Sequence, residues 1–168
     1  MKKTGIIYGS STGTCEELAN TIASKLGINQ SDVYSADKLT TSLISQYNVL
    51  ILGTSTWGDG ELQDDWYDGI KTLKAADLSN KTIALFGCGD SESYPDTFCD
   101  GMGILYEDLK DSRCHFLGNN VNPAGYSFSS SIAVVDGHFI GLALDEVNES
   151  SKTDQRIDNW IAGFKDEL

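Results

Sequence analysis

Gly9-Ser10-Ser11-Thr12-Gly13-Thr14-Cys15-Glu16 is the stretch on which the reading of this chain turns. A short apolar segment, Gly5-Ile6-Ile7-Tyr8, precedes it. An amphipathic pattern from about Cys15 to Leu26 follows, with Leu18, Ile22, Ala23 and Leu26 on one face. A strand, a tight turn of glycine and hydroxyl residues, and a helix N-terminus make an anion site. Backbone N–H groups converge there and the helix dipole adds about half a positive charge. Ser10, Ser11, Thr12 and Thr14 add hydroxyl donors. An ordinary Ser/Thr-capped helix start would use the same residue types. The turn holds no Lys or Arg. It therefore matches neither the lysine-bearing G-x-x-x-x-G-K-[ST] loop nor the G-x-G-x-x-G fingerprint. What fits is one phosphate monoester, neutralised by dipoles and hydroxyls alone.

The chain of 168 residues is about one domain's worth, and one domain over 1–168 is expected. Its formal net charge of −13 argues against nucleic acid and anionic membranes as partners, since both attract Lys and Arg. No apolar run approaches the roughly 20 residues of a membrane span. The start, Met1-Lys2-Lys3-Thr4-Gly5, leads straight into a strand without a signal-peptide pattern, so a cytoplasmic location is expected. Lys165-Asp166-Glu167-Leu168 spells a retrieval signal of the endoplasmic reticulum, but these residues equally fit the end of an amphipathic helix, which is the expectation here. Cys15, Cys88, Cys99 and Cys114 lack metal-ligand spacing, and His115 and His138 have no partner pattern. Reduced thiols and no metal are expected.

Strand and helix signals alternate along the chain. Strands are expected at Lys3–Tyr8, Val33–Ala36, Val49–Leu52 and Thr82–Phe86. The continuous apolar runs of the last two are those of parallel strands buried on both faces. Helices are expected near Thr40–Ser45, Gln63–Leu73 and Thr97–Leu109. A last helix, Thr153–Lys165, with Thr153 as its cap, would bury Ile157, Trp160, Ile161 and Phe164. A fifth strand starts near Cys114–Leu117, is cut by the polar stretch Gly118–Gly137 and is expected to resume at His138–Leu142. The pattern predicts an α/β fold: three layers, with a doubly wound parallel sheet of five strands and an insertion in strand five.

In such folds ligands sit at the carboxyl ends of the strands. Three glycine-punctuated loops fall there: Gly9–Cys15, Thr54–Glu61 and Gly87–Asp96. Trp57 in the second and Tyr94 in the third, beside a phosphate turn, suggest a flat ring held between two aromatic faces.

Taken together these motifs resemble the flavodoxin family over essentially the whole chain. The resemblance rests on Ser10 to Glu16, on Thr56-Trp57-Gly58-Asp59-Gly60-Glu61-Leu62, on Phe86 to Asp90, and on Tyr94-Pro95-Asp96-Thr97-Phe98. Gly141 to Glu146 and Thr153 to Ile157 match the C-terminal signature, and Gly125-Tyr126-Ser127-Phe128 in the interrupted strand matches the long-chain subclass. The resemblance implies the strand order 2-1-3-4-5, with FMN at the switch point between strands one and three, a placement for which flavodoxin is itself the standard example. It implies single-electron transfer at low potential between a reductase and acceptor oxidoreductases with basic faces, by a monomer and without substrate catalysis.

Residue by residue, the resemblance puts Ser10, Ser11, Thr12, Gly13, Thr14 and Cys15 on the phosphate. Ser55, Thr56, Trp57, Gly58, Asp59 and Gly60 fall in the second binding loop, with Trp57 on the inner ring face. Cys88, Gly89, Asp90, Tyr94, Phe98 and Cys99 fall in the third, with Tyr94 on the outer face and backbone groups of Gly89, Asp90 and Cys99 near the pyrimidine edge. The Gly58–Asp59 peptide is implied to turn over on reduction and accept a hydrogen bond from flavin N5, glycine making the turn cheap. Ser10 and Cys15 stand where the family usually has Thr. Losing one hydroxyl donor at Cys15 would weaken FMN binding by up to about 1 kcal/mol. A thiol at a helix N-terminus is also expected to have a lowered pKa and to alkylate easily once FMN is removed.

No Lys or Arg occurs from Leu39 to Ile70, Thr82 to Leu109 or Cys114 to Ser151. Asp59, Glu61, Asp64, Asp65, Asp90, Glu92, Asp96 and Asp100 lie within those spans. Lys and Arg cluster before strands and at helix ends, the opposite edge of the fold, with Lys152 and Arg156 as exceptions. A charge dipole with its negative end at the flavin is expected. A receiver domain of the same strand order would need an acidic pair after strand one and an Asp after strand three, where Gly9-Ser10 and Gly53-Thr54 stand. An FMN-dependent quinone reductase is the alternative reading, and it lacks residues that would shape a substrate pocket.

Overall fold

The computed structural model describes residues 2–168. β1 (Thr4–Gly9), β2 (Val33–Ser35), β3 (Val49–Trp57) and β5 (Thr82–Cys88) run parallel in the order β2-β1-β3-β5. β6 (His115–Leu117) and β9 (Leu142–Leu144) both pair with β5, the first against Thr82–Ala84 and the second against Phe86–Cys88. They are the two halves of one interrupted fifth strand.

Strand alternation builds the layers. Ile6, Ile51, Ala84 and Phe86 point to one face, where α1 (Thr14–Leu26) and α5 (Thr153–Ala162) cover them with Leu18, Ile22, Ile157 and Trp160. Ile7, Leu50, Leu52, Ile83 and Leu85 point to the other, under α2 (Thr41–Ser45), α3 (Asp65–Ala75) and α4 (Asp100–Leu109). The expected three-layer α/β sheet is therefore present.

Four boundaries differ from the sequence reading. β3 and β5 run past Gly53 and Gly87, and β3 then turns back into the two-residue β4 (Glu61–Leu62), pairing Trp57 with Glu61. α3 and α4 begin later than expected, because the Gln63 side chain accepts from the Asp65 amide and because Cys99 takes a left-handed φ of 56° before Asp100. Strand five resumes at Leu142, not His138. β7 (Val134–Val135) and β8 (His138–Phe139) instead form a hairpin that buries Phe139. α5 stops at Ala162, Thr153 is its first residue and donates to Glu146 Oε1 without capping, and Lys165–Glu167 is a short 3-10 turn.

The insertion is less polar in structure than its composition suggests. Tyr126 and Phe128 pack on Phe98 and Phe139, with ring centroids 5.0–6.1 Å apart. The amides of Ser129 and Ser130 both donate to Pro95 O, at 2.8 and 2.9 Å. Arg156 lies 3.8 Å over the Tyr126 ring and donates to Gly125 O. The insertion thus clamps the segment that follows Tyr94.

Candidate functional site

The sheet register brings the three loops together. Gly9 stands opposite Thr54, Ser55 opposite Cys88, and Cys88 opposite Leu144. The turn after β1, the β3–β4 hairpin and the loop after β5 therefore leave the carboxyl edge side by side, at the point where β1 separates connections running in opposite directions.

In the first turn, Ser11 and Thr12 are exposed and Ser10 is half-buried. The Gly13 amide donates to Ser10 Oγ at 3.1 Å, which curls the turn over the start of α1. The amides of the first helical turn have no intrahelical acceptor and face the same point. Gly9 is required by close approach: a Cβ there would lie 2.3 Å from Gln63 Oε1 and 2.6 Å from the Trp66 ring. Gln63 is buried, and its Nε2 donates to Ser11 Oγ at 3.1 Å. It ties the first loop to the second, and its sequence position, a polar residue before a helix, gave no sign of this.

In the second loop Trp57 is 40% exposed, and its indole N–H donates to Ser55 Oγ at 2.9 Å, which fixes the ring's direction. The Gly60 amide donates to Trp57 O at 3.2 Å, Gly58 has φ of +50°, and Asp59 is not left-handed. A positive φ at the first central residue of the turn favours glycine there. Thr56 Oγ1 accepts from the Gly101 amide at 3.0 Å, binding the hairpin to α4.

In the third loop Tyr94 is 45% exposed, and its amide donates to Asp90 O at 2.9 Å. The Gly89 amide donates to Leu144 O at 2.9 Å. The Ser93 amide, donating to Asp90 Oδ1, is the main cause that holds the Asp90 carboxyl below the usual range. The arrangement offers hydroxyls and amides at one end and two solvent-facing aromatic rings beyond. It suits a phosphate joined to a planar ring.

Two expected side chains face elsewhere. Phe98 is 1% exposed and belongs to the aromatic cluster under the insertion, because its ring fills the space between Tyr126, Phe128 and Phe139. The Cys15 thiol is 1% exposed and packs into the core beneath α1. The hydrogen bond with Cys88, followed by burial, pushes its pKa well up, so the expected lowered pKa is overturned: only the Cys15 amide, not its sulfur, reaches the turn. Cys88 and Cys99 are buried too, and the Cys99 pKa is raised by burial.

The distribution of charges departs from the expected one at one further cation. Among the described residues none of Asp59, Glu61, Asp64, Asp65, Asp90, Glu92 and Asp96 forms an ion pair. Lys152 and Arg156 share Glu149, at 2.5 and 3.1 Å. Lys38, just beyond β2, is a third cation on this side of the fold and pairs with Asp37. A cavity of about 830 Å³ lies between the insertion, β6 and α5, away from all three loops, so volume does not locate the site. No three His, Cys, Asp or Glu among the described residues are placed to hold a metal, and no described helix is long and apolar enough to cross a membrane.

Comparison with known proteins agrees with this geometry. Residues 6–160 match the family model described as Flavodoxin. The chain is 42% identical to a flavodoxin of Buchnera aphidicola subsp. Baizongia pistaciae, over 100% of this chain and 97% of that one. It is 38% identical to flavodoxin 1 of Escherichia coli K12, over 100% and 96%. A crystal structure of Fusobacterium nucleatum flavodoxin bound to flavin mononucleotide superposes with a TM-score of 0.89, at 30% identity, over 100% and 99% of the two chains. With a family model matched over residues 6–160 and relatives about 40% identical along the whole chain, the chain belongs to the flavodoxin family.

Proposed function

We propose that this chain is a single 1–168 domain that carries electrons one at a time on bound FMN, as a cytoplasmic monomer. The carrying observation is the register that sets the Ser10–Cys15 turn beside two loops presenting Trp57 and Tyr94. FMN supplies the redox chemistry when bound, and the protein supplies binding and electrostatics.

Ser10, Ser11, Thr12, Gly13, Thr14 and the Cys15 amide hold the phosphate without a cation. Ser55, through its hydrogen bond, aims Trp57 at the inner ring face, and Tyr94 covers the outer one. Thr56 and Gly60 shape the turn that places the Gly58–Asp59 peptide beside the ring's central nitrogen. Backbone groups of Gly89, Asp90 and Cys99 meet the pyrimidine edge, with Cys88 and Phe98 supporting them from the core.

The unpaired carboxylates around these loops disfavour added negative charge. One carboxylate about 10 Å from a unit charge opposes it by roughly 0.4 kcal/mol in water and about 1.7 at an effective dielectric of 20. The same carboxylates, in the loops that expose Trp57 and Tyr94, suit docking to basic-faced reductases and acceptor oxidoreductases.

Fluorescence titration with FMN and with riboflavin tests the reading. FMN should bind far more tightly, since riboflavin lacks the phosphate. Equal affinities would remove the phosphate role of the first turn. Reduction by a basic reductase should slow as salt rises. A salt-independent rate would remove the charge-steered docking.

A further inference from the structure

Asp145 directly follows β9 and is fully buried. Its Oδ2 accepts from the Ser91 amide at 3.1 Å and from Ser91 Oγ at 2.5 Å. Its Oδ1 accepts from the Asn148 amide at 3.0 Å, and Asn148 Nδ2 reaches both oxygens, at 3.2 and 3.1 Å. The same Asn148 Nδ2 donates to Asp90 Oδ1 at 2.8 Å, which also takes the Ser93 amide at 3.0 Å. No Lys, Arg or His among the described residues pairs with Asp145. A buried charge without a counter-ion is costly unless its oxygens are fully hydrogen-bonded, and the donors here come from the Tyr94 loop and from the segment after β9. Burial pushes the carboxyl pKa up, but the Ser91 and Asn148 hydrogen bonds outweigh it and the net shift is downward, so the group is ionised at neutral pH.

We propose that Asp145 is a positioning residue: its carboxylate locks the Ser91–Tyr94 loop into the shape that makes Tyr94 a wall of the cofactor site, and adds a fixed charge that opposes the second electron. The lock explains why the loop needs Ser91 buried in an otherwise exposed stretch, Glu92 to Tyr94. The insertion holds the far end of the same loop at Pro95 O, so the loop is pinned at both ends. The cofactor part of this inference rests on the FMN reading above, whereas the lock itself does not.

Two variants separate position from charge. Asp145→Asn removes the charge and turns one acceptor into a donor, and Ser91→Ala keeps the charge and removes one hydrogen bond. Amide hydrogen exchange on the cofactor-free chain reads the lock directly. In Asp145→Asn the amides of Ser91, Ser93 and Tyr94 should exchange at least tenfold faster, while those of β1, β3 and β5 keep their protection. In the FMN-loaded proteins both variants should bind FMN more weakly. Only Asp145→Asn should shift the second-electron equilibrium tenfold toward the fully reduced form, about 59 mV for one electron. If Asp145→Asn does not fold, Ser91→Ala carries the exchange test, and unchanged loop protection in it overturns the lock. Unchanged exchange and potential in a folded Asp145→Asn overturn the proposal. Wild-type chain that does not bind FMN overturns the cofactor reading instead, and the exchange measurement still judges the lock.

Discussion

Gln63 and Ser11 are joined across the carboxyl edge of the sheet by a hydrogen bond from Gln63 Nε2 to Ser11 Oγ, 3.1 Å long. Gln63 also accepts from the Asp65 amide at 3.0 Å, so one side chain starts α3 and steadies the hydroxyl turn. Gln63→Leu should therefore raise the FMN dissociation constant by about 2- to 10-fold, the worth of one hydrogen bond of about 0.5–1.5 kcal/mol. Fluorescence quenching on titration measures it. Unchanged affinity would mean that the turn holds its shape without this tie.

The left-handed φ of Gly58 makes a second prediction. The nearest atoms to an added Cβ are 3.8 Å away, so the obstacle to a side chain is conformational and not steric. If this turn belongs to the reduced protein, Gly58→Val should lower the first-electron potential by about 40 mV or more, the equivalent of about 1 kcal/mol of backbone strain. Gly58→Asn should lower it by less, since Asn tolerates the left-handed region. A potential that rises would assign the turn to the oxidised protein.

Phe98 contributes through stability. Its ring fills the cluster with Tyr126, Phe128 and Phe139, and truncation leaves a cavity. Phe98→Ala should cost about 3–5 kcal/mol in urea unfolding. A loss below about 1 kcal/mol would show that the insertion does not depend on it.

Thiol labelling distinguishes the buried cysteines from the partly exposed one. Cys15, Cys88 and Cys99 are buried and Cys114 is intermediate. Burial raises the Cys114 pKa, so even this thiol should react slowly. With or without FMN, at most one thiol per chain should react with an aromatic disulfide before denaturant is added. Rapid labelling of Cys15 in the cofactor-free protein would contradict its placement under α1.

Acid stability follows from the lowered carboxyls. The Ser93 amide lowers Asp90, and Lys152, followed by Arg156, lowers Glu149. At Asp145 burial opposes the hydrogen bonds, which win. A group with a depressed folded pKa adds stability above its unfolded value, about 4 for a carboxyl, and loses it as pH falls through the folded value. Asp100 acts oppositely: burial raises it, and it gains relative stability on protonation. Asp77 is lowered too, by its hydrogen bonds from Ser79, so with four groups against one urea midpoints should stay level above about pH 5 and fall below about pH 4. The fall should be shallower in Asp145→Asn.

The fold was legible where buried strands leave unbroken apolar runs, as at Val49–Leu52 and Thr82–Phe86, and where the turn residues of Gly9–Glu16 separate strand from helix. Boundaries set by tertiary contacts were not. β9 could not be placed at Leu142 because Phe139 reads as strand but is drawn into the aromatic cluster, and the Cys15 side chain reads as part of the turn until the packing of α1 on the sheet turns it inward. The two exposed loop aromatics, Trp57 and Tyr94, were legible as a pair at the carboxyl ends of the strands. The polar side chains that tie these loops together, Gln63, Ser91, Asp145 and Asn148, were not, because each bonds to a residue more than 50 positions away.

The most direct test of the central claim is the visible spectrum of the FMN-loaded protein during stepwise anaerobic reduction. A yellow protein that passes through a stable blue one-electron form before bleaching is the predicted result. Bleaching in a single two-electron step, or a chain that stays colourless after FMN is added, would contradict it.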